Sequence, residues 1–390
     1  MRLGDFSPST VVAGFVTVLV GFTSSAVIVF QGAAAMGASA EQIGSWMWAL
    51  GLGMAITCIG LSLRWRTPVV TAWSTPGAAL LIGAGASATM PEAIGAFLVS
   101  ALLMTAAGFS GVFERIMNRI PVAIASGMLA GVLLRFGLDA FVSLKSQFGL
   151  VAGMFVVYLA GRRFVPRYAV IGAFAAGIVV AAAQGLIQMQ SVRLQWAQPV
   201  WTTPQFSLGA LVGVAVPLFV VTMASQNVPG VAVIRAAGYS TPISPVLGWI
   251  GVVNLLLAPF GAFALNLAAI TAAICMGREA HEDPQRRYTA AVSAGVFYLI
   301  IGVAGATVAA VFAAFPRELV AGIAGIALLG TIGNGLAQAT ASERDREPAL
   351  VTFLVTASGL SLAGIGSAFW GLVAGAFTLA VLRANYNRAS

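Results

Sequence analysis

The chain is written almost entirely in apolar runs of roughly 20 residues, the length at which a helix crosses a bilayer, parted by charged or Pro- and Gly-bearing joints. Runs of this kind fold in lipid, where every backbone N–H and C=O must be bonded inside the structure, so that only helices or closed barrels span. At 59% hydrophobic and 8% charged, the chain lacks the polar side chains that coat a water-soluble domain, which is about 25% charged. An all-α integral membrane protein follows. The formal charge of +8 does not point to nucleic acid, because the basic residues stand singly or in pairs at the ends of apolar runs, as cytoplasmic anchors do. Cys58 and Cys275 lie inside apolar runs and frame neither a disulfide scaffold nor a zinc site. No short apolar stretch with a small-residue cleavage site opens the sequence, so the first run, from about Thr10, is expected to stay in the mature chain.

Fourteen apolar segments can be counted, about 28 residues for each span with its loop, which leaves no room for an appended soluble domain. With the N-terminus in the cytoplasm, 16 of the 20 basic residues fall on the cytoplasmic side, and only Arg135, Lys145, Arg193 and Arg317 outside. That is the excess cytoplasmic loops carry, and it places both termini inside. The halves also resemble each other: AAAMGAS ending at Ser39 aligns with VIRAAGYS ending at Ser240, Pro68 with Pro259, and Pro121 with Pro316, at offsets of 201, 191 and 195 residues. Seven spans per repeat is an odd number, so the second repeat enters the bilayer upside down. Such inverted repeats mark many secondary transporters.

The third span of each repeat is interrupted. TPVVTAWSTPG holds Pro68 and Pro76 with β-branched residues between them, then a short run. Thr75 is a good N-cap and Pro76 suits the first helical position, so a half-helix is expected to start there, inside the membrane. The matching segment runs from Pro259 through Phe260 and Leu265 to Asn266, another N-cap type, before LAAITAAICMG; Thr75 and Asn266 are equivalent in this alignment. Two half-helices entering from opposite sides would converge their free N–H groups on one point. Each start favours an anion by about 0.3–1 kcal/mol, roughly 2 when partly buried. Unwound backbone at this depth must be buried in protein or line a cavity, so the cavity is expected to hold a negatively charged group. The alternative is that the prolines merely kink two full helices.

Other polar residues bear on the same cavity. Ser24, Ser25 and Gln31 in the first span match Ser225, Gln226 and Asn227 in the eighth; they either line the cavity or bond neighbouring helices. Phe22, Phe30, Trp73, Phe260 and Phe263 flank the breaks and could form a flat slot for a ring, or simply pack. Gly127 with Gly131, and Gly371 with Gly375, read as sites of close helix contact. None of the 12 acidic residues lies at a clear mid-membrane position, so no relay of buried carboxylates is visible. Asp139 and Glu318, near the outer ends of the fifth and twelfth spans, are the deepest candidates for proton coupling, with surface anchoring as the alternative. The lone His281 sits in a charged loop without a second metal-ligand type. No Walker loop, nucleotide fingerprint or Ser-His-Asp set is present, so neither an ATP-driven pump nor an enzyme is supported, and no cofactor is implied.

GFTSSAVIVFQGAAAMGAS in the first span, TAWSTPGAALL and NLAAITAAICMG resemble the benzoate/proton symporter family of bacterial inner membranes, with the likeness covering essentially the whole chain. That family is similar in fold to the uracil and xanthine permeases and the sulfate-type anion transporters. The resemblance implies short strands ahead of the half-helices in segments 3 and 10, and frequent homodimers. It also implies a core domain of spans 1–4 and 8–11 (residues 1–116 and 207–314) and a gate domain of spans 5–7 and 12–14 (residues 117–206 and 315–390). Carried over by residue, the substrate site would hold Ser74, Thr75, Pro76 and Gly77 on span 3, Leu265, Asn266 and Leu267 on span 10, with Ser25, Gln31, Gln226 and Asn227 as walls. The nucleobase permeases bind a neutral base with glutamates on spans 8 and 10; amides stand here instead, which suits a carboxylate. The expected function is uptake of benzoate or a close aromatic carboxylate with a proton, by alternating access. A nucleobase or inorganic-anion permease is the alternative within transport, and a channel-like anion conductor the alternative outside it.

Overall fold

The computed structural model describes residues 3–84, 88–118, 120–187, 196–360, 362 and 367–389. Arg2, Arg119 and Arg193 of the charge count lie outside these residues, as does the side chain of Ser24. The first half runs α1 (Pro8–Ala35), α2 (Ala40–Trp65), β1 (Thr71–Ala72), α3 (Thr75–Ala84), α4 (Met90–Phe109), α5 (Val112–Met117), α6 (Val122–Val142), α7 (Phe148–Phe164) and α8 (Ala169–Ala183). The second half runs α9 (Leu208–Ala236), α10 (Ile243–Leu257), β2 (Asn266–Leu267), α11 (Ile270–Met276), α12 (Tyr288–Ala314), α13 (Arg317–Thr340), α14 (Glu343–Ala357) and α15 (Ser367–Ala389). Seven helices among the described residues are long and apolar enough to cross a membrane by themselves. At 10 and 7 residues, α3 and α11 cannot cross singly. Large apolar side chains cover the exterior, Leu256 and Phe377 being 70% and 69% exposed, a surface that lipid rather than water satisfies.

The order of elements recurs in the two halves. Thr71 and Asn266, Thr75 and Ile270, Val122 and Arg317, and Phe148 and Glu343 are element starts that each stand 195 residues apart. This spacing corrects the equivalence of Thr75 with Asn266: the partner of Thr75 is Ile270, and Asn266 matches Thr71.

Helices pack in two groups. In one, α1 and α2 lie on α12, α4 lies on α10, and α3 and α11 lie against α1. Small residues let these backbones close: a Cβ on Gly51 would fall 2.6 Å from Gly302 Cα, and one on Gly108 2.3 Å from the Gly248 nitrogen. In the other group α6 packs on α13 and α14, α14 on α15, and α7 on α8 and α13. Both glycine pairs read from the sequence meet α14 here. Gly127 and Gly131 approach Ala349, Phe353 and Thr356 from α6, and Gly371 and Gly375 approach Thr356 and Thr352 from α15. Contacts of α9 with α6 and of α1 and α11 with α13 join the groups.

Candidate functional site

Two stretches of non-helical backbone meet in the interior, and side chains of the surrounding helices satisfy their polar groups. After α2 the chain runs extended: Ser62 Oγ accepts from Val69 N–H at 3.0 Å and donates to Val69 O at 3.1 Å, and Thr71 N–H donates to Cys58 Sγ at 3.2 Å. The Thr57 and Thr71 hydroxyls stand 2.6 Å apart. β1 and β2 pair antiparallel, with Thr71 opposite Leu267 and Ala72 opposite Asn266, and Ala268 N–H donates to Val70 O at 2.9 Å. Two buried amides hold the second stretch. Asn227 Oδ1 accepts from Leu267 N–H at 2.9 Å and Asn254 Oδ1 from Leu265 N–H at 3.5 Å. Irregular backbone at membrane depth thus persists because it is enclosed and bonded.

The half-helices begin where this pairing ends. α3 starts at Thr75, but Ser74 supplies the cap, its Oγ accepting from Gly77 N–H at 3.0 Å. Thr75 was expected in that role. One residue earlier, Ser74 lies just outside the helix and turns its oxygen onto the first turn, and this frees the Thr75 hydroxyl. The second correction is larger. Asn266 caps no helix: it pairs in β2, donates from Nδ2 to Ala264 O at 2.9 Å, and leaves Oδ1 buried without a partner. α11 starts four residues later, where Ala273 N–H first reaches back, onto Ala269 O. The amides of Ile270, Thr271 and Ala272 are the orphan donors of that start.

Between the strands' ends and the surrounding helices lies a cavity of about 350 Å³. Trp73, Met54, Phe136 and Ile270 give it apolar and aromatic walls, while Ser25, Thr75, Gln226, Thr271 and Tyr298 bring polar groups to it. Trp73 is fixed: its Nε1–H donates to Ser25 Oγ at 2.9 Å, Ser25 donates on to Gly21 O at 3.0 Å, and Phe22 meets the indole edge-on at 5.9 Å. By contrast, the side chains of Thr75, Gln226, Thr271 and Tyr298 have no hydrogen-bond partner among the described residues. Four polar groups left open on one cavity wall can take their missing partners from an incoming molecule. Gln226 arrives there through a wide turn. Pro229 has no N–H, and in a regular α-helix its ring would clash with the carbonyl four residues back; the π-helical turn Met223–Asn227 precedes it. This turn aims Gln226 at the cavity and Asn227 at β2.

Of the residues read from the sequence, the structure therefore brings Ser25, Trp73, Thr75, Pro76 and Gln226 to the cavity. Ser74, Gly77, Asn227, Leu265, Asn266 and Leu267 stand behind it, building the turn and the strands. Phe263 packs with Trp46 and Phe97, at 5.4 and 5.6 Å, away from the wall. Gln31 is exposed, having rotated off the cavity face of α1. Asp139 is exposed and pairs with Arg135 at 3.9 Å, and Glu318 accepts from Ser146 Oγ at 2.9 Å; both lie away from the cavity. Sequence reasoning missed Tyr298, Thr271 and Phe136. Tyr298 sits in an apolar run with no neighbouring break, and nothing local marks it.

A second cavity, about 340 Å³, opens between the two helix groups beyond the C-terminal end of α11. Leu129, Asn334 and Gln338 wall one side, and Ala273, Met276 and Arg278 the other. Arg287 holds the end of α11 there, its guanidinium donating to Met276 O, His281 O and Glu282 O at 2.9, 2.6 and 3.2 Å. A cation at carbonyls left bare by a helix end is favourable.

A helical membrane protein with a central cavity at two matched helix breaks has the build of a substrate carrier. Residues 4–381 match the family described as Benzoate membrane transport protein. The chain is 50% identical over 382 residues to "Inner membrane protein YdcO" of Escherichia coli (strain K12), covering 98% of each. It is 38% identical over 378 residues to "Benzoate membrane transport protein" of Acinetobacter baylyi (strain ATCC 33305 / BD413 / ADP1), covering 97% of this chain and 96% of that one. The chain belongs to the benzoate membrane transport family, and it is an integral inner-membrane transport protein rather than an enzyme. Among solved structures, the transmembrane domain of the cyanobacterial bicarbonate transporter BicA aligns over 96% of this chain and 98% of that one, with a TM-score of 0.49 and 13% identity.

Proposed function

We propose that the protein carries benzoate or a closely related aromatic acid inward across the membrane by alternating access, together with a proton. One observation carries this reading: four unpartnered polar side chains, Thr75, Gln226, Thr271 and Tyr298, face one cavity beside the fixed indole of Trp73. The aromatic ring would lie along Trp73 and Phe136, and the carboxyl group would take the hydroxyls and amide as partners. The starts of α3 and α11 point their partial positive ends the same way.

The group containing α1–α4 and α9–α12 is the core, which carries the site; the group containing α6–α8 and α13–α15 is the gate. Phe136 is the gate's contribution to the cavity wall. The chain crosses the bilayer as fourteen segments in a seven-plus-seven inverted repeat, with both termini cytoplasmic. Support comes from the shared 195-residue spacing of the element starts and from the opposed run of the equivalent strands β1 and β2. Movement of the core against the gate would expose the site to either side in turn. On this orientation the cavity beside Arg278 is the route to the cytoplasm.

Binding of benzoate to the purified protein, by calorimetry, tests the assignment. Thr75→Val and Gln226→Leu each remove one hydrogen bond to the carboxyl group, about 1–3 kcal/mol or roughly 5- to 150-fold in affinity, whereas Gln31→Ala leaves binding unchanged. Unaltered affinity in both Thr75→Val and Gln226→Leu would place the substrate elsewhere.

A further inference from the structure

The cavity is largely apolar, and the few polar side chains on its wall are uncharged. None of its described lining residues is Asp, Glu, His, Lys or Arg, and all 12 acidic residues of the chain, which are all described, lie elsewhere. The helices that wall it are as bare. α1, α3, α11 and α12 contain no charged residue. α2 carries Glu41 and Arg64 at its ends, and α9 carries Arg235, which is occupied with Met117 O and Asn118 Oδ1. α6 carries Arg135 and Asp139, which pair with each other on the exposed side. Among the described residues, the titratable groups facing inward are Tyr298 on the wall and, behind it, the thiols of Cys58 and Cys275, which contact Thr71 and Thr17.

A carboxylate shut into this cavity would give up its water and meet no counter-charge among the described residues. Burial without a paired cation disfavours the charged form of an acid and drives it to take up a proton. The two helix starts oppose this only in part, since they offer fractional charges. The side chains match the neutral form better. A carboxylate only accepts hydrogen bonds, whereas a carboxylic acid both donates and accepts, and Gln226, Thr75, Thr271 and Tyr298 can each do both.

Resting on the functional reading above, we propose that the site holds its aromatic substrate as the uncharged carboxylic acid, so that the substrate's own carboxyl group, not a side chain, carries the coupled proton. The balance is simple. The carboxylate takes a proton from water on the outer side as the cavity closes over it, crosses as the O–H acid, and returns that proton to water on the cytoplasmic side. One proton accompanies each substrate, and no net charge moves.

Binding to the full-length protein in detergent near pH 7 tests this with three probes: benzoate, benzamide as an uncharged analogue of the acid, and benzenesulfonate as an obligate anion. Benzamide is expected to displace benzoate and benzenesulfonate to fail. Calorimetry in buffers of different ionisation enthalpy should show close to one proton taken up per benzoate and none per benzamide. Tyr298→Phe should retain that proton count even as its affinity falls. The inference is overturned if benzenesulfonate competes while benzamide does not, if benzoate binds without proton uptake, or if Tyr298→Phe abolishes the uptake. Failure of all three probes to bind would instead overturn the functional reading itself.

Discussion

At the scale of single residues, the molecule distinguishes polar side chains that are finished from those that are not. Ser25, Asn227 and Asn254 spend their hydrogen bonds on the indole, on β2 and on Leu265 just before it, while Gln226 and Thr271, their neighbours in sequence or space, face the cavity open. Away from the membrane interior, Glu114 shows the same completeness. Its two oxygens accept from Ile243 and Ser244 N–H at 3.2 and 2.8 Å, holding the start of α10 to α5. Burial works against its charge, but the hydrogen bonds from Ser244 and Ile243 and the positive charge of Arg235 outweigh it and keep the carboxyl below its ordinary 4.5. A group depressed in this way contributes stability above its unfolded-state pKa and loses it as pH falls through the folded value. Melting in detergent from about pH 7 to about pH 4 should therefore show a shallower acid loss for Glu114→Gln than for the parent, with a lower Tm at neutral pH. Equal slopes would mean the clamp contributes nothing.

Elements here are shaped by what they must approach. α15 lies close on α14 because Gly371 and Gly375 present no side chain; a Cβ on Gly375 would stand 1.8 Å from Thr352 Oγ1 and 3.0 Å from Pro348 O. Gly375→Leu is expected to force the pair apart at a cost of about 1–3 kcal/mol or more, seen as a lower Tm and early loss of the monodisperse peak on size exclusion. Gly209→Leu, where nothing lies within 4 Å, should change neither. The half-helices follow the same logic. α11 is only seven residues long, too short to hold itself, and is kept helical by burial and by Arg287 at its end. Its late start was hidden from sequence because Asn266 is a good cap by type; β1 takes that residue into a strand pair, and capping preference yields to the pairing.

At the scale of the whole molecule, two helix groups meet across the cavities, and the proposed opposed insertion of the repeats predicts which loops face out. A membrane-impermeant thiol reagent on whole cells should label a cysteine placed at Gln184 but not one placed at Asp283, in a protein carrying Cys58→Ser and Cys275→Ser; the reverse pattern would invert the topology. Much of this architecture was legible along the chain. Apolar length reports spanning helices, and Pro68, Pro76 and Pro259 report broken backbone, because each is a local property that lipid or the φ angle enforces residue by residue. Even the family resemblance rests on those same stretches. The walls of the site were only half legible: Trp73, Thr75 and Gln226 stand at or near breaks, while Tyr298 and Phe136 come from unbroken helices that reach the cavity by packing. Whether Asn266 caps a helix or joins a strand, and whether Gln31 or Gln226 faces the cavity, depends on partners some 40 to 195 residues away in the chain. Sequence alone determined where the backbone could not continue as helix; the tertiary structure decided which polar groups found partners and which were left open on the cavity, since hydrogen-bond satisfaction in a low-dielectric interior belongs to the whole packed arrangement.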